Sequence, residues 1–252
     1  MDYILLTKIV LMPLLIAGVT LCVRRWGEGL GGWIGGFPWV AGPISFFMAW
    51  EQGPSFAAAT IPGALIGSAG TYLFAYTYAM LASRWAWLPT VLASYSVYWV
   101  TVLVASYFTP TLPWGIGIVV CVLAAVMYFF PKPSQPAPST RHPSYDIPLR
   151  MLVATLFVFV LTQAADRLGA EWSGLLTPFP IMTSTLAVFT HAQQGSAATN
   201  AILYGLTLTG FGFITFLVGV HWVVPLLPLG WAYLLLLLIT LVLNGITFRL
   251  IR

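Results

Sequence analysis

The chain has 252 residues, of which 60% are apolar and only 6% charged, where a soluble domain would have about a quarter of its residues charged. With a mean hydropathy of +0.93, this excludes a soluble globular fold, and the unalternating run WAYLLLLLITLVL, residues 231–243, excludes a membrane β-barrel, so an all-α polytopic membrane protein is predicted. The net charge of +4 comes from basic residues scattered along the whole chain, which form no stripe of the kind nucleic acid requires.

A helix needs roughly 20 apolar residues to cross a hydrocarbon core about 30 Å thick. Residues 3–23 form the first such stretch; Asp2 stands where a signal peptide would carry positive charge, so a retained span is predicted. Four more follow at 31–50, 55–83, 86–108 and 113–130, then a proline-rich polar linker at 131–148, then 149–168, 174–192, 196–220 and 229–248. That makes nine spans. They leave Arg24, Arg25, Arg84, Lys132, Arg141, Arg150, Arg249 and Arg252 on one side and only Lys8 and Arg167 on the other. Because cytoplasmic loops retain basic residues, the amino terminus is predicted outside, in the periplasm, and the carboxyl terminus in the cytoplasm. Cys22 and Cys121 both lie in apolar stretches and read as small buried hydrophobes. No disulfide, metal or other cofactor is predicted.

Shifting the chain by 142 residues lays FPWVAGPISFFMAWEQG, starting at Phe37, on FPIMTSTLAVFTHAQQG, starting at Phe179, with no gap. The same shift pairs Gly32 with Gly174, Gly63 with Gly205 and Gly70 with Gly212. Spans 1, 2, 3 and 4 thus match spans 6, 7, 8 and 9, and span 5 is left as a connector. The predicted organisation is a four-helix repeat over 1–110, a connector helix with its linker over 111–148, and a second four-helix repeat over 149–252. An odd number of spans separates each matched pair, so the second copy must be inverted, the layout of many secondary transporters.

Proline removes a backbone donor and disfavours helix in the residue before it. Spans 2 and 7 should therefore be discontinuous around Phe37, Pro38, Phe179 and Pro180. Unwound backbone at membrane depth is tolerated where it lines a cavity, and a helix amino terminus there offers free N–H groups to a polar or anionic ligand. Phe37, Pro38, Gly42, Ser45, Phe179, Pro180, Thr183, Ser184, Thr185 and Asn200 are the predicted solute-binding residues, although such hydroxyls equally often bond their own backbone. Glu51 and His191 are the candidates for ion or proton coupling, against the plainer reading that both sit at span ends. Gln52, Gly53, Gln194 and Gly195 mark turns into spans 3 and 8, structural or hinge-like. Most small residues of GALIGSAG, residues 63–70, read as helix-packing positions.

GGFPWVAGP resembles the glycine-and-proline entry of the AbrB-type duplicated membrane family, and LLTPFPIMTSTLAVFTHAQQG resembles the Phe-Pro span of the small GlpM-like membrane proteins. These resemblances imply a bacterial inner-membrane protein concerned with transport. The residues themselves point to a secondary transporter of a small organic solute, with or without proton coupling, embedded in the bilayer and free to form a homodimer. Two rival readings remain at this point: an intramembrane enzyme on lipid-linked substrates, and a non-catalytic membrane subunit or channel. No HExxH, G-x-S-x-G or Cys/His constellation supports an enzyme.

Overall fold

Four glycines with positive φ, a conformation that a β-carbon disfavours, cut the apolar chain into helices. In the computed structural model, which describes residues 3–108, 111–131 and 145–248, they are Gly27 (φ 86°), Gly53 (98°), Gly169 (75°) and Gly195 (85°). They form two pairs, 27 with 169 and 53 with 195, each separated by the 142 residues of the sequence repeat. Lys132, Arg141, Arg249 and Arg252 lie outside the described residues, as do the side chains of Lys8, Asp166 and Arg167.

Every regular element among the described residues is a helix. α1 (Tyr3–Trp26) ends on Arg24 and Arg25, cations at the negative end of the helix dipole. α2 (Glu28–Gly35) is short and is followed by the unwound residues 36–40 and then by α3 (Ala41–Gln52). α4 (Pro54–Leu81) starts on proline, whose missing N–H costs nothing in a first turn. α5 (Trp87–Ala105) and α6 (Leu112–Phe129) follow. α7 (Asp146–Leu176) is broken within by Gly169, and the unwound residues 177–180 separate it from α8 (Ile181–Gln194). α9 (Ser196–Leu208) and α10 (Gly210–Val223) meet at Thr209 with a bend of 41°, and α11 (Leu229–Phe248) ends the described chain.

α4 is apolar on all sides and is the central rod: 72% of its apolar stretch is buried, against 22% for α6 and 28% for α11, the pattern expected of a helix enclosed by others rather than by lipid. α4, α5, α6 and α11 are each long and apolar enough to cross a membrane, and α9 with α10 makes a fifth if the bent pair is one span. The chain is an integral membrane protein by that standard. The other predicted spans fall on α1, on α2 with α3, and on α7 with α8.

The two halves exchange contacts reciprocally. Ile202 of α9 presses on Gly32 of α2, and Thr60 of α4 presses on Gly174 of α7; in each case backbone atoms occupy the place of a β-carbon. Residues 32 and 174, and 60 and 202, are partners in the repeat. Likewise Gly205 packs on Gly29 and Trp33, and Gly63 on Glu171 and Leu175. A pair of related contacts in which residue i meets j and its counterpart meets the counterpart of j is what an isologous, two-fold arrangement produces. Glycine lets the backbones approach this closely.

Candidate functional site

The exchange brings the two unwound segments together around one cavity of about 80 Å³, bordered by Gly36, Phe37, Val40 and Ala41 on one side and Thr177, Phe179, Pro180, Met182 and Thr183 on the other. α4 supplies Ser68, Thr71 and Tyr72, and Thr207 and Phe213 come from α9 and α10. The volume suits a few waters or one small molecule.

Backbone accounting at the two breaks leaves groups open on both sides, the carbonyls of Gly35, Gly36 and Thr177 among them. On the carbonyl side, Gly32 and Trp33 accept from Gly36 N–H and Ile34 from Phe37 N–H, and the Trp39 indole also donates to Ile34 at 2.6 Å. In the second half, Ser173 and Gly174 accept from Thr177 N–H and Leu176 from Phe179 N–H, while the Tyr98 hydroxyl donates to Leu175 O at 3.2 Å and the Thr71 hydroxyl to Pro178 O at 2.6 Å. On the N–H side, Gly42 donates to Pro38 O and Ser184 to Pro180 O. The backbone N–H groups of Val40, Ala41, Met182 and Thr183 donate to no acceptor among the described residues.

Most of the hydroxyls around the cavity are spent on backbone. Ser68 donates to Ala64 O at 2.6 Å, Thr177 to Ser173 O at 2.7 Å and Thr207 to Tyr204 O at 2.8 Å. Thr183, only 9% exposed, borders the cavity and its hydroxyl has no hydrogen-bond partner among the described residues. Among the described residues no Lys, Arg, Asp, Glu or His borders the cavity.

Of the predicted binding residues, the fold brings Phe37, Phe179, Pro180 and Thr183 to the cavity. Pro38, Gly42, Ser45, Ser184, Thr185 and Asn200 lie outside its lining. Ser45 donates to Gly42 O and accepts from the Tyr233 hydroxyl, and Ser184 accepts from the Tyr95 hydroxyl at 2.8 Å, so both tie helices together. Thr185 Oγ1 and Asn200 Oδ1 are buried with no hydrogen-bond partner among the described residues, away from the cavity. Gly53 (φ 98°) and Gly195 (φ 85°) stand between α3 and α4 and between α8 and α9, with Gln52 exposed and Gln194 half-buried beside them.

Glu51 is exposed at the end of α3. His191, near the end of α8, shares a hydrogen bond of 3.2 Å with the Tyr78 hydroxyl, and neither residue reaches the cavity. Next to His191 the sequence reading missed a charged cluster. Asp146, wholly buried, accepts from Arg24 at 2.6 Å and from Arg150 at 2.9 Å, and Gln193 donates to it at 2.6 Å. Burial alone would raise the Asp146 carboxyl; the Arg150 charge and the hydrogen bonds from Arg150, Gln193 and Arg24 outweigh it and hold the group below its ordinary value. Arg150 also sits 4.9 Å above the Phe189 ring, a cation–π contact. The cluster fastens the end of α1, the start of α7 and the end of α8 to one another.

A larger cleft of about 760 Å³ lies between α5 and α6, lined by Val100, Val104, Phe108, Trp114 and Ile118. Its one hydroxyl, Thr101, is bonded to Val97 O, so it presents an apolar surface suited to lipid chains rather than a site of recognition. Cys22 and Cys121 are unpaired thiols, and no three His, Cys, Asp or Glu side chains among the described residues gather as metal ligands would. Compared with models of known protein families, with curated proteins and with solved structures, the chain gives no match.

Proposed function

We propose that this chain is a secondary transporter of the bacterial inner membrane, built as four spans, a connector and four inverted spans, that moves a small organic solute by alternating access. The observation that carries this reading is the meeting of the two unwound segments, 142 residues apart, at one cavity. Solute sites in inverted-repeat transporters form where discontinuous helices cross near the bilayer midplane. The reciprocal contacts of Gly32 with Ile202 and Gly174 with Thr60 add a reason for bistability: two like halves facing opposite ways give two packings of similar energy, and a solute need only bias a small difference between them.

The rival enzyme reading finds little support at the cavity: no Asp, Glu, His, Cys or Lys borders it among the described residues, the groups that acid–base chemistry most often uses, and the hydroxyl of Tyr72 there donates to Gly210 O at 3.4 Å. Uptake into proteoliposomes of a panel of small radiolabelled solutes, with and without an imposed pH gradient, tests the proposal. Saturable flux of at least one solute, lost on Gly36→Leu, which would crowd Thr209 and the Leu206 carbonyl, is the expected result. Conductance with no saturation would point to a channel, and the absence of flux across the panel would overturn the reading.

A further inference from the structure

We propose that the end of the molecule where α1 and α8 stop and α7 begins binds the phosphate of an anionic membrane lipid, held by Arg24 and Arg25. This stands apart from the transport reading. Arg24 and the buried Arg150 share a single carboxylate, that of Asp146, which leaves one positive charge over in a place largely cut off from water. Arg25, the next residue of α1, is exposed and pairs with no acid among the described residues. Arg24 gives one guanidinium nitrogen to Asp146 at 2.6 Å. Its buried Nε has no acceptor among the described residues, and 24% of the side chain still reaches the surface. A guanidinium short of counter-charge in such a place is costly, and a phosphate has the oxygens to complete its fork of donors.

Side-chain charge fixes the sign. The other acid at this end, Glu28, pairs with none of the three arginines among the described residues. His191 is turned to the Tyr78 hydroxyl, and Gln193 is neutral, giving an N–H to Asp146 and keeping a buried carbonyl oxygen with no donor among the described residues. Helix ends do not reverse the sign. α1 hands over to α2 across Gly27 and α8 to α9 across Gly195, so at each junction a carboxyl end and an amino end lie side by side and their partial charges oppose, while α7 adds an amino end of its own. Position sets the source of the phosphate. Trp26 and Tyr145 are exposed by 53% and 65%, next in sequence to Arg25 and Asp146, and such aromatic side chains gather at the membrane–water boundary. Leu21 and Leu14, four and eleven residues before Arg25, and Leu149, four after Tyr145, are exposed too and lie on the faces of α1 and α7 that carry Arg25 and Tyr145. Acyl chains thus find an apolar path leading away from the arginines, from which a free anion would gain nothing. Basic pockets between membrane helices select anionic headgroups in this way.

The test uses the full chain, delipidated in a neutral detergent, and follows thermal unfolding against added phosphatidylglycerol, with phosphatidylcholine and soluble glycerol phosphate as comparisons. A saturable rise in Tm with phosphatidylglycerol is expected, with phosphatidylcholine roughly tenfold weaker and glycerol phosphate without effect. Arg25→Gln removes no contact within the fold among the described residues, so the lipid-free Tm should stay in place. Its apparent affinity for phosphatidylglycerol should fall about fivefold, the effect of one basic side chain near an anionic surface, and Arg24→Gln combined with Arg25→Gln should abolish the protection. Should the double variant fail to fold, Arg25→Gln alone decides. Arg84→Gln changes an arginine that is exposed just after α4 and pairs with no member of the cluster, and should leave the affinity unchanged. Equal protection by phosphatidylcholine, protection by glycerol phosphate, full affinity in Arg25→Gln, or the same loss in Arg84→Gln as in Arg25→Gln would overturn the inference. No arm depends on solute movement, so the transport reading stands or falls separately by flux in proteoliposomes.

Discussion

The first break, residues 36–40, is held largely by rings of its own segment. Trp33 and Phe37 pack edge to face at 5.2 Å and Phe37 and Trp39 lie 6.1 Å apart, while the Trp39 indole bonds back to Ile34 O. The second break, residues 177–180, is held by other helices. Phe179 stacks on Tyr95 at 5.5 Å and meets Tyr98 and Trp99 at 5.1 and 5.9 Å, all on α5, and Thr71 of α4 bonds Pro178 O. The far ends of the following helices differ in the same sense. α8 is fastened by Gln193 to Asp146 and by His191 to Tyr78, whereas Trp50, Glu51 and Gln52 at the end of α3 are exposed. Motion concentrates where contacts with the rest of the molecule are fewest. Two segments equivalent in the repeat are thus a clamped helix and a freer one, and α3 is expected to move against α8.

The clamp breaks most severely at Asp146. Asp146→Ala leaves Arg24 and the buried Arg150 without their counter-charge, and removing one partner of a buried ion pair costs about 3–5 kcal/mol. Thermal or SDS unfolding in detergent should show a loss of that size, against a much smaller one for Glu51→Gln at the exposed end of α3. Acid should loosen the same cluster. Because the Asp146 carboxyl is held below its unfolded value, its contribution is complete above the unfolded carboxyl pKa of about 3.9 and disappears as pH falls through the lower folded value. Unfolding midpoints should therefore be flat from neutral pH to about pH 5 and fall below about pH 4, and Asp146→Asn should remove that acid-dependent step.

Next comes the ring that anchors the second break. Phe179 is 6% exposed and Phe37 is half-buried, so Phe179→Ala should cost about 3–5 kcal/mol and Phe37→Ala roughly half as much by the same cavity argument. Equal losses would refute the contrast between the breaks. The matching contacts at Gly32 and Gly174 predict equality elsewhere. Gly32→Ala and Gly174→Ala each push a β-carbon into facing backbone, and each should cost about 1–3 kcal/mol. Gly117→Ala on α6, with open space around it, should instead gain up to about 1 kcal/mol from helix propensity.

Much of this arrangement was legible in the sequence. Two of the four positive-φ glycines are Gly53 and Gly195, while Gly27 and Gly169 carried no turn signal of their own, and the Phe-Pro pairs sit in unwound backbone because proline cannot donate and restrains its predecessor. What a single sequence could not show is which hydroxyls face inward. Ser68, Thr71 and Thr207 reach the cavity from helices that read as scaffold, since an all-round apolar helix has no periodicity to mark a face. Ser45 and Ser184 looked like ligands and instead accept hydrogen bonds from Tyr233 and Tyr95, partners far away in the chain. The Asp146 cluster was hidden for a different reason: Asp146 sits at the edge of a polar linker, and only the approach of α1 and α8 buries it. Its one local signal was Arg150 four residues later, the spacing of a helical ion pair.

The finest test of the contrast removes one oxygen from the clamp. Tyr98 is fully buried and its hydroxyl donates to Leu175 O, in the last turn before the second break, whereas the comparable donor at the first break, the Trp39 indole, serves Ile34 O within its own segment. Tyr98→Phe keeps the ring against Phe179 and leaves only a carbonyl unsatisfied, so unfolding should register about 1 kcal/mol. Its effect on motion should be larger in kind than in size. Loosening the second break lets α8 share the displacement that the intact clamp confines to α3, so hydrogen exchange at Ile181–Gln194 should quicken while Ala41–Gln52 stays as it was. Faster exchange in α3 with α8 unchanged would show that the two breaks are held by the same contacts after all.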